Sequence, residues 1–458
     1  MKILLVLLGC DKNRVDAEVM LGKLRDHGHT FTDDKEQAEA VIVNTCCFID
    51  AAKEESINEI LSYAEEKKNG RIRALVVTGC LAQRYRDEII REIPQVDAVV
   101  GVTAADQIAE VLEKAAQADK ADGMILMGPV DLPCGGGDRV ITTGGSYEYL
   151  KIAEGCDKHC TYCVIPQIRG RYRSRPMEEL VAEAEKLADA GVSELILVAQ
   201  ETTLYGVDLY GEKRLPMLLE KLCAIEGLHW IRLLYCYPEE IDEALIDAIA
   251  GQDKICRYLD IPIQSGSNSV LKRMGRRIDR EGIIRLIQHL RERIPGIAVR
   301  TSLISGFPGE TAADHRETME LVKQLRFERL GVFTYSQEEG TPAAKLPDQV
   351  PEPLKKRRQG QLMRLQQTIT AERSEVLQGS VVEAVIEGRI TGDDMIEEDT
   401  AVYAARCAFD IPEVDGYLFI EGVDPSVELY TGSFVRVRIT GASGYDLTGV
   451  LYEDESGQ

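Results

Sequence analysis

The sequence predicts an α/β protein in three parts: an N-terminal doubly wound parallel-sheet domain, a central partial (β/α) barrel, and a small C-terminal β-barrel. Strand-like apolar runs alternate with helical patterns at the start of the chain, and the same alternation resumes in its middle. Short strands with turn signals then follow a long helical stretch near the end. We expect the domains to span 1–135, 146–376 and 377–450.

The N-terminal sheet is predicted from three strand-like runs, each followed by a helical pattern. These runs are ILLVLLGC, AVIVNTCC and ALVVTGC. A cysteine closes each of them: Cys10, Cys46 and Cys80. Because the carboxyl ends of parallel strands form one ligand-binding edge, we expect the three thiols to meet there. Cys47 is a competing neighbour of Cys46, and three buried structural thiols are the alternative interpretation.

The second α/β region follows an irregular stretch from about 116 to 146, which carries the Gly and Ser enrichment of a linker. Its six strand-like runs are YLKIAEG, ELILVAQ, IRLLYC, YLDIPIQ, VRTSLISG and LGVFTYS. Six strand-helix units suit a partial barrel, whose sites lie at the carboxyl edge of the strands. The stretch EGCDKHCTYCVIP, which contains Cys156, Cys160 and Cys163, comes directly after the first of them.

Three cysteines in a CxxxCxxC spacing are one ligand short of a structural zinc site, which needs four. His159 lies between two of the cysteines and is a poor candidate for the fourth ligand. A four-iron, four-sulfide cluster held by three thiolates would instead keep one iron open to a small molecule. We therefore favour a cluster site over the alternative of buried structural thiols.

The C-terminal part begins with a helical, locally basic stretch over 351–378, expected to be a solvated helix face. Residues 380–458 then contain four Arg, no Lys and seventeen Asp or Glu, a formal charge of −13. One dense group is Asp393, Asp394, Glu397 and Glu398. Such a domain repels phosphates and suits a basic protein partner, which argues against tRNA. Acidity acquired for solubility is the alternative, because the whole chain carries −23.

The composition and the apolar runs of the chain indicate its cellular location. The twelve cysteines in 458 residues are not evenly paired, so a reducing cytosol fits better than a disulfide scaffold. The apolar run from Ile3 to Leu8 is too short for a secretion signal and reads as a first strand. No run approaches the roughly 18 apolar residues of a membrane span. We expect a cytoplasmic protein with no membrane partner.

The cysteine loop and its preceding strand, YLKIAEGCDKHCTYCVIPQIRGRYRSR, resemble the iron-sulfur loop of radical S-adenosylmethionine enzymes. Nearly the whole chain resembles the methylthiotransferases of that superfamily, which end in a TRAM β-domain. The stretches NTCCFIDAAKEESI, AQETTLYGVDLYG and FDIPEVDG resemble the branch that modifies a ribosomal protein. The chain departs from the family pattern in reading GCDKN, with Asp11 where Pro is common, and in having AQET where a GGE motif is expected.

This resemblance implies two 4Fe-4S clusters and S-adenosylmethionine. The auxiliary cluster would be held by Cys10, Cys46 and Cys80, and the radical-generating cluster by Cys156, Cys160 and Cys163. The product would be a β-methylthio-aspartate in a small-subunit ribosomal protein, with an electron donor protein and a sulfur donor as further partners. The alternatives are a tRNA adenosine methylthiotransferase and, from another class, a non-catalytic iron-sulfur redox sensor.

Four further residues are candidate contacts to S-adenosylmethionine. Tyr162 stands beside Cys163, where its ring could lie against the adenine. Gln200, Gln264 and Arg300 are expected at strand ends, where their side chains could reach polar groups of the cofactor. Each of the four could equally be a structural residue, and the sequence assigns no catalytic side chain.

Overall fold

The computed structural model describes residues 1–117, 123–132, 136–390 and 400–452. The acidic group within 391–399, singled out in the sequence, lies outside these ranges, and so does Cys134, for which the sequence shows no partner spacing. No helix in the described part of the chain is long and apolar enough to cross a membrane.

The N-terminal domain is a parallel sheet with helices on both sides, as predicted. Its strands are β1 (Lys2–Leu7), β2 (Thr30–Phe31), β3 (Ala40–Thr45), β4 (Ala74–Gly79), β5 (Ala98–Val100) and β6 (Met124–Leu126). Its helices are α1 (Asp11–Asp26), α2 (Asp50–Lys68), α3 (Cys80–Glu92) and α4 (Ile108–Gln117). The strand order is β2-β1-β3-β4-β5-β6. Every residue of β3 and β4 is buried, because helices cover both faces of the sheet.

The central domain is a six-stranded parallel sheet curved as a partial barrel, which confirms all six predicted strands. The six strands of this sheet are β7 (Tyr147–Lys151), β10 (Glu194–Val198), β11 (Trp230–Leu233), β12 (Ile255–Asp260), β13 (Ala298–Ser305) and β14 (Arg329–Thr334). Two short strands between β7 and β10, β8 (Ala153–Glu154) and β9 (Arg173–Ser174), form a separate antiparallel pair. The helices are α5 (Ile165–Arg169), α6 (Met177–Asp189), α7 (Val207–Tyr210), α8 (Leu215–Cys223), α9 (Glu243–Gly251), α10 (Asn268–Arg273), α11 (Arg280–Arg293), α12 (Ala312–Leu325) and α13 (Glu352–Leu377). The sheet order is β14-β13-β12-β11-β10-β7.

Alternate residues of the central strands build two separate cores. Leu195 and Leu197 of β10 belong to the large core beneath the helices. Ile196 belongs to the inner, concave face, where it packs with Val15 of α1 and Ile411 of the C-terminal domain. The inner face is therefore covered by both neighbouring domains, and not by solvent.

The long helix α13 differs in part from the expected solvated face. Lys355 and Arg358 are buried. The Lys355 ammonium donates to the backbone oxygen of Tyr335 at 2.7 Å, and Arg358 pairs with Glu310 at 2.8 Å. The expectation was wrong for these two positions because each cation has a buried acceptor on the central domain.

The C-terminal domain is a closed five-stranded barrel, in the order β15-β16-β17-β19-β18. Its strands are β15 (Val381–Arg389), β16 (Ala401–Cys407), β17 (Leu418–Val423), β18 (Phe434–Ser443) and β19 (Asp446–Leu451). The sequence predicts four of these strands, in the runs VVEAVIEGRI, YLFIEGV, FVRVRIT and LTGVLYE, and β16 was missed. The connection from β16 to β17 anchors the barrel on the central domain: Asp410 pairs with Arg329, and Asp415 accepts from Tyr258 at 2.9 Å.

Candidate metal centres

The first cysteine triad lies at the carboxyl edge of the N-terminal sheet. Cys10 is the residue before α1, Cys46 follows β3, and Cys80 is the first residue of α3, directly after β4. Strands β1, β3 and β4 are neighbours in the sheet, so the three loops are adjacent. Burial, with smaller contributions from the nearby Cys80 and Cys10 thiols, raises the pKa of Cys46 to about 12. The structure thus brings together the three cysteines that the strand pattern singled out.

Asn13 holds these three loops in one arrangement. Its amide nitrogen donates to the backbone oxygens of Leu8 and Thr45, both at 3.0 Å, and its backbone oxygen accepts from Asn44 at 2.9 Å. Its side-chain oxygen lies 3.7 Å from the Cys80 sulfur. One buried amide therefore ties all three cysteine loops together.

Cys46 and Cys47 face different surroundings. A side chain added at Gly9, in the Cys10 loop, would lie 3.2 Å from the Cys46 sulfur, so this thiol faces the other cysteine loops. Cys47 is 0 % exposed and packs in the apolar core of the domain. This supports the choice of Cys46 as the ligand.

The second triad lies in the loop after β8, within the central domain. The loop is fixed by its own backbone: the Cys156 amide donates to the oxygen of Gly170 at 3.2 Å, and the Cys163 amide to that of Cys160 at 3.1 Å. Burial raises the pKa of Cys156 and of Cys163 to about 12. Such buried thiols ionise only when a positive charge such as a metal compensates the burial.

Each triad supplies three thiols, the donor set of a four-iron cluster that keeps one iron open. Among the described residues, no three His, Cys, Asp or Glu side chains converge as ligands of one metal ion would. A cubane cluster instead takes each thiolate at a different iron, so its ligands stand farther apart. A cavity of about 320 Å³ opens beside Cys156, Asp157 and His159.

Among the buried polar atoms that have no hydrogen-bond partner in the described part of the chain are two oxygens near the second triad, Oε1 of Gln200 and Oε2 of Glu201. Both residues follow β10 at the carboxyl edge of the barrel. The other Glu201 oxygen accepts from the Thr203 amide at 3.0 Å, and burial raises the pKa of Glu201 to about 7. Unpaired buried acceptors are costly, and an amino group of a bound ligand would satisfy them. The residues present thus fit a cluster with an amine-bearing cofactor beside it.

The other candidate cofactor contacts lie in three different settings. The Tyr162 ring packs edge-on against Phe307 at 6.5 Å between centroids. Gln264 follows β12 and has a positive φ of 72°, held by backbone pairing with β13. Arg300, which was expected at a strand end, is the third residue of β13, near the amino end of the strand, and it donates to Asp260 at 2.9 Å. The cofactor contacts assigned to these residues stay predictions.

Sequence reasoning missed three residues of this region: Glu201, Glu154 and Arg169. In the sequence, Glu201 stood out only as part of AQET, the stretch found where the family's GGE motif is expected. Although burial alone would raise it, Arg169 and Lys151 hold the pKa of the Glu154 carboxyl well below its usual range. A sequence pattern carries no sign of the pair of Glu154 and Arg169, because the chain must fold back over fifteen residues to form it.

Three family models match the chain. Uncharacterized protein family UPF0004 matches residues 2–101, the Radical SAM superfamily matches 150–322, and the TRAM domain matches 378–451. The three matches follow the same order as the three folded units.

Curated relatives match over nearly their full length. A protein of Lachnoclostridium phytofermentans named ribosomal protein uS12 methylthiotransferase RimO is 55 % identical, covering 98 % of this chain and 99 % of its own. Proteins with the same name from Acetivibrio thermocellus and Clostridioides difficile are 46 % and 45 % identical, each covering 99 % of both chains.

Solved structures show a similar fold at low sequence identity. The radical S-adenosylmethionine methyltransferase TsrM from Kitasatospora setae, solved with tryptophan and a cofactor analogue, has a TM-score of 0.54 at 17 % identity, covering 86 % of this chain and 79 % of that one. The cobalamin-dependent S-adenosylmethionine radical enzyme OxsB has a TM-score of 0.51 at 14 % identity, covering 80 % of this chain and 56 % of that one.

Proposed function

Because this chain belongs to the ribosomal protein uS12 methylthiotransferase family, within the radical S-adenosylmethionine enzymes, we propose that it attaches a methylthio group to the β-carbon of an aspartate in ribosomal protein uS12. The observation that carries the proposal is 55 % identity over nearly the full length of a relative with that name. The presence of two cysteine triads, each at the carboxyl edge of a parallel sheet, supports it. The three units of the enzyme are proposed to be 1–135, 146–376 and 377–450.

As a radical S-adenosylmethionine enzyme, the protein uses 4Fe-4S clusters and S-adenosylmethionine. Cys156, Cys160 and Cys163 would hold the cluster that supplies the electron for radical formation. Cys10, Cys46 and Cys80 would hold the auxiliary cluster, which would supply the site for sulfur. Clusters with three protein thiolates keep one iron free for these tasks.

The protein's own residues bind, orient and exclude water. Gln200 Oε1 and Glu201 Oε2 are proposed to accept hydrogen bonds from the amino group of S-adenosylmethionine, since these two buried atoms have no partner among the described residues. Asn13 fixes the auxiliary cysteines by joining their loops. Cover from α1 and the C-terminal barrel keeps water from the inner face of the central sheet, which protects a reactive radical.

The partners of the reaction are proposed from its chemistry. Radical formation requires an electron donor protein, and each turnover consumes a sulfur atom, so a sulfur donor is also required. A reducing cytosol is the proposed location, because it would keep the free thiols from oxidation. The formal charge of −13 over residues 380–458 supports a basic ribosomal protein over tRNA as the partner.

The proposal is tested by mass spectrometry of uS12 and of tRNA from a deletion strain. We expect the uS12 aspartate to lose its methylthio group while tRNA adenosines are unchanged. Complementation with the Cys10→Ala, Cys46→Ala, Cys80→Ala variant should fail. The control variant Cys223→Ala, which changes a half-buried thiol outside both triads, should restore the modification. Loss of a methylthio-adenosine with intact uS12 would instead assign the tRNA reaction.

A further inference from the structure

One buried guanidinium connects the two cysteine triads. Arg169 is the last residue of α5, which follows the second triad, and it is 2 % exposed. Its Nη2 lies 3.4 Å from the Cys80 sulfur of the first triad and also donates to the Asn13 side-chain oxygen. The side chain thus crosses from the central domain into the N-terminal domain and contacts one of the cysteines there.

The second nitrogen of this guanidinium is held by two carboxylates. Nη1 donates to Asp16 at 2.6 Å and to Glu154 at 3.2 Å. Lys151 also donates to both of these carboxylates, at 2.8 Å in the case of Glu154. Two cations therefore meet two anions, and this balanced network fixes the planar guanidinium in the orientation that aims Nη2 at Cys80.

The two triads have different donors to their sulfurs. In the described part of the chain, the Cys156 sulfur accepts from the Lys158 backbone amide at 3.4 Å, and the Cys160 sulfur lies 3.4 Å from the Tyr237 hydroxyl. Both of these donors are neutral, whereas Arg169 brings a positive charge to Cys80. Hydrogen bonds and charge at ligand sulfurs set the reduction potential of an iron-sulfur cluster.

We propose that Arg169 is a positioning residue that raises the reduction potential of the auxiliary cluster through its charged hydrogen bond to the Cys80 sulfur. Reduction adds negative charge to the cluster, and a nearby cation stabilises the reduced state. The same side chain keeps the two cluster sites at a fixed separation, because its other nitrogen is bound to Glu154, two residues before Cys156. The inference rests on the proposed function, since it takes Cys10, Cys46 and Cys80 as cluster ligands.

The test uses protein in which only the auxiliary cluster remains, made by replacing Cys156, Cys160 and Cys163 with Ala. In this background, Arg169→Met removes the positive charge and the donor nitrogens Nη1 and Nη2, and it keeps an unbranched side chain. After anaerobic reconstitution, we expect about four irons per chain and a midpoint potential more negative than in the background, measured by a titration followed by electron paramagnetic resonance. An unchanged potential at full iron content would overturn the inference.

The matched control is Arg175→Met. Arg175 is equally buried and pairs with Glu183 at 2.6 Å and with the Lys151 backbone oxygen at 3.1 Å, but neither partner is a cysteine. Removing it also deletes a buried charge from the central domain. We expect the midpoint potential of the auxiliary cluster in Arg175→Met to match that of the background. An equal shift in Arg169→Met and Arg175→Met would mean that loss of any buried charge changes the potential, and would overturn the role of the Arg169 hydrogen bond.

A spectroscopic measurement keeps the inference testable if Arg169→Met loses its iron. The auxiliary-only protein is prepared with arginine labelled with heavy nitrogen, and pulsed electron paramagnetic resonance is recorded on the reduced cluster. A weak nitrogen coupling, absent in Arg169→Lys, is expected, and its absence from the labelled parent would overturn the hydrogen bond. Neither measurement involves uS12. A protein that shows the potential shift but modifies no aspartate would therefore refute the proposed function alone.

Discussion

Cys46 and Cys47 are neighbours in sequence but have different surroundings: the Cys46 thiol lies near both Cys10 and Cys80, whereas the Cys47 thiol lies near Cys80 and Arg84. Cys47 is enclosed in the apolar core, where its role is to pack. We therefore expect Cys47→Ala to keep about eight irons per chain, while its smaller side chain lowers the free energy of unfolding by about 1 kcal/mol. Iron analysis after anaerobic reconstitution, with Cys46→Ala as the comparison, checks this. Loss of the auxiliary cluster from Cys47→Ala would reverse the assignment.

The two triads should fail in different ways when removed. Without Cys156, Cys160 and Cys163, we expect about four irons and no cleavage of S-adenosylmethionine to 5'-deoxyadenosine, because no open iron remains to bind the cofactor. Without the auxiliary triad, Cys10, Cys46 and Cys80, we again expect about four irons, with cleavage retained and transfer of the methylthio group lost. Chromatography of 5'-deoxyadenosine and mass spectrometry of uS12 separate the two outcomes. Full iron content in either variant would contradict the ligand assignment.

Glu201 should make stability depend on pH. Burial raises the pKa of Glu201 to about 7 from an ordinary value of 4.5, so the folded state holds a proton that the unfolded state has released between these two values. Stability from this group is complete below about pH 4.5 and is lost as the pH rises through about 7. Relative to Glu201→Gln, we expect the wild type to lose up to about 3 kcal/mol between pH 5 and pH 8. Thermal unfolding of both proteins at these values measures the difference, and parallel curves would contradict it.

Residues in the two sites differed in how visible they were from the sequence. The cysteines were predictable because ligands cluster at strand ends and in close spacing, which a single chain displays. Arg169 was not predictable, because its contact with Cys80 joins residues 89 positions apart, and Glu154 was not, because its pair with Arg169 forms only when the loop between them folds back. Arg300 lies near the amino end of β13, and its contact to the cofactor stays a prediction.

At the scale of elements, the turn into the second cysteine loop depends on Gly155. Its φ is +80°, and a side chain there would lie 2.0 Å from the Arg171 backbone oxygen. We expect Gly155→Ala to lose the radical cluster and to retain about four irons. Gly144→Ala is the control, because its φ is +83° but nothing lies within 4 Å of the added carbon. Both variants carry a backbone strain of about 1–2 kcal/mol, so only the clash separates them. Equal iron content in the two would show that the clash is relieved.

The strands missed from the sequence were missed for two physical reasons, short length and weak alternation. Strands β2, β5 and β6 have two or three residues each, too few to display a period of two. Strand β16, AVYAARC, was missed because its small alanines and central tyrosine give a weak alternation, although most of its residues are buried in the barrel. The long parallel strands were predictable because burial on both faces requires continuous apolar runs.

At the scale of the whole molecule, Glu413 joins all three units: its carboxylate pairs with Arg14 of α1 at 2.7 Å and accepts from Tyr147 of β7 at 3.0 Å. The barrel is thereby fixed over the inner face of the central sheet by contacts between distant segments. Such contacts lie beyond what a single sequence can predict. The sequence does show that this domain is strongly acidic, so the charge that it presents to a partner is negative.

The acidic C-terminal barrel should therefore guide binding of uS12. The densest acidic group lies outside the described residues, so the test uses Glu421 and Glu428, which are exposed on the barrel. Reversing both to Lys should weaken binding of uS12 by up to about 30-fold, because each lost exposed pair and each new repulsion costs roughly 0.5 kcal/mol, about 2 kcal/mol in all. The difference should shrink with salt, because the Debye length falls to about 8 Å at physiological ionic strength.

The matched control reverses Glu88 and Glu92, which are exposed on α3 in the N-terminal domain and change the net charge by the same amount. If only total charge mattered, the two double variants would bind uS12 equally in a fluorescence titration. We expect the barrel variant to bind more weakly, with cleavage of S-adenosylmethionine unchanged in both. Since the barrel is held against the central sheet by buried ion pairs, its acidic surface has a fixed position relative to the radical site. Weaker binding of uS12 by the barrel variant should therefore lower the rate of methylthio transfer at limiting uS12 and leave the rate at saturating uS12 unchanged.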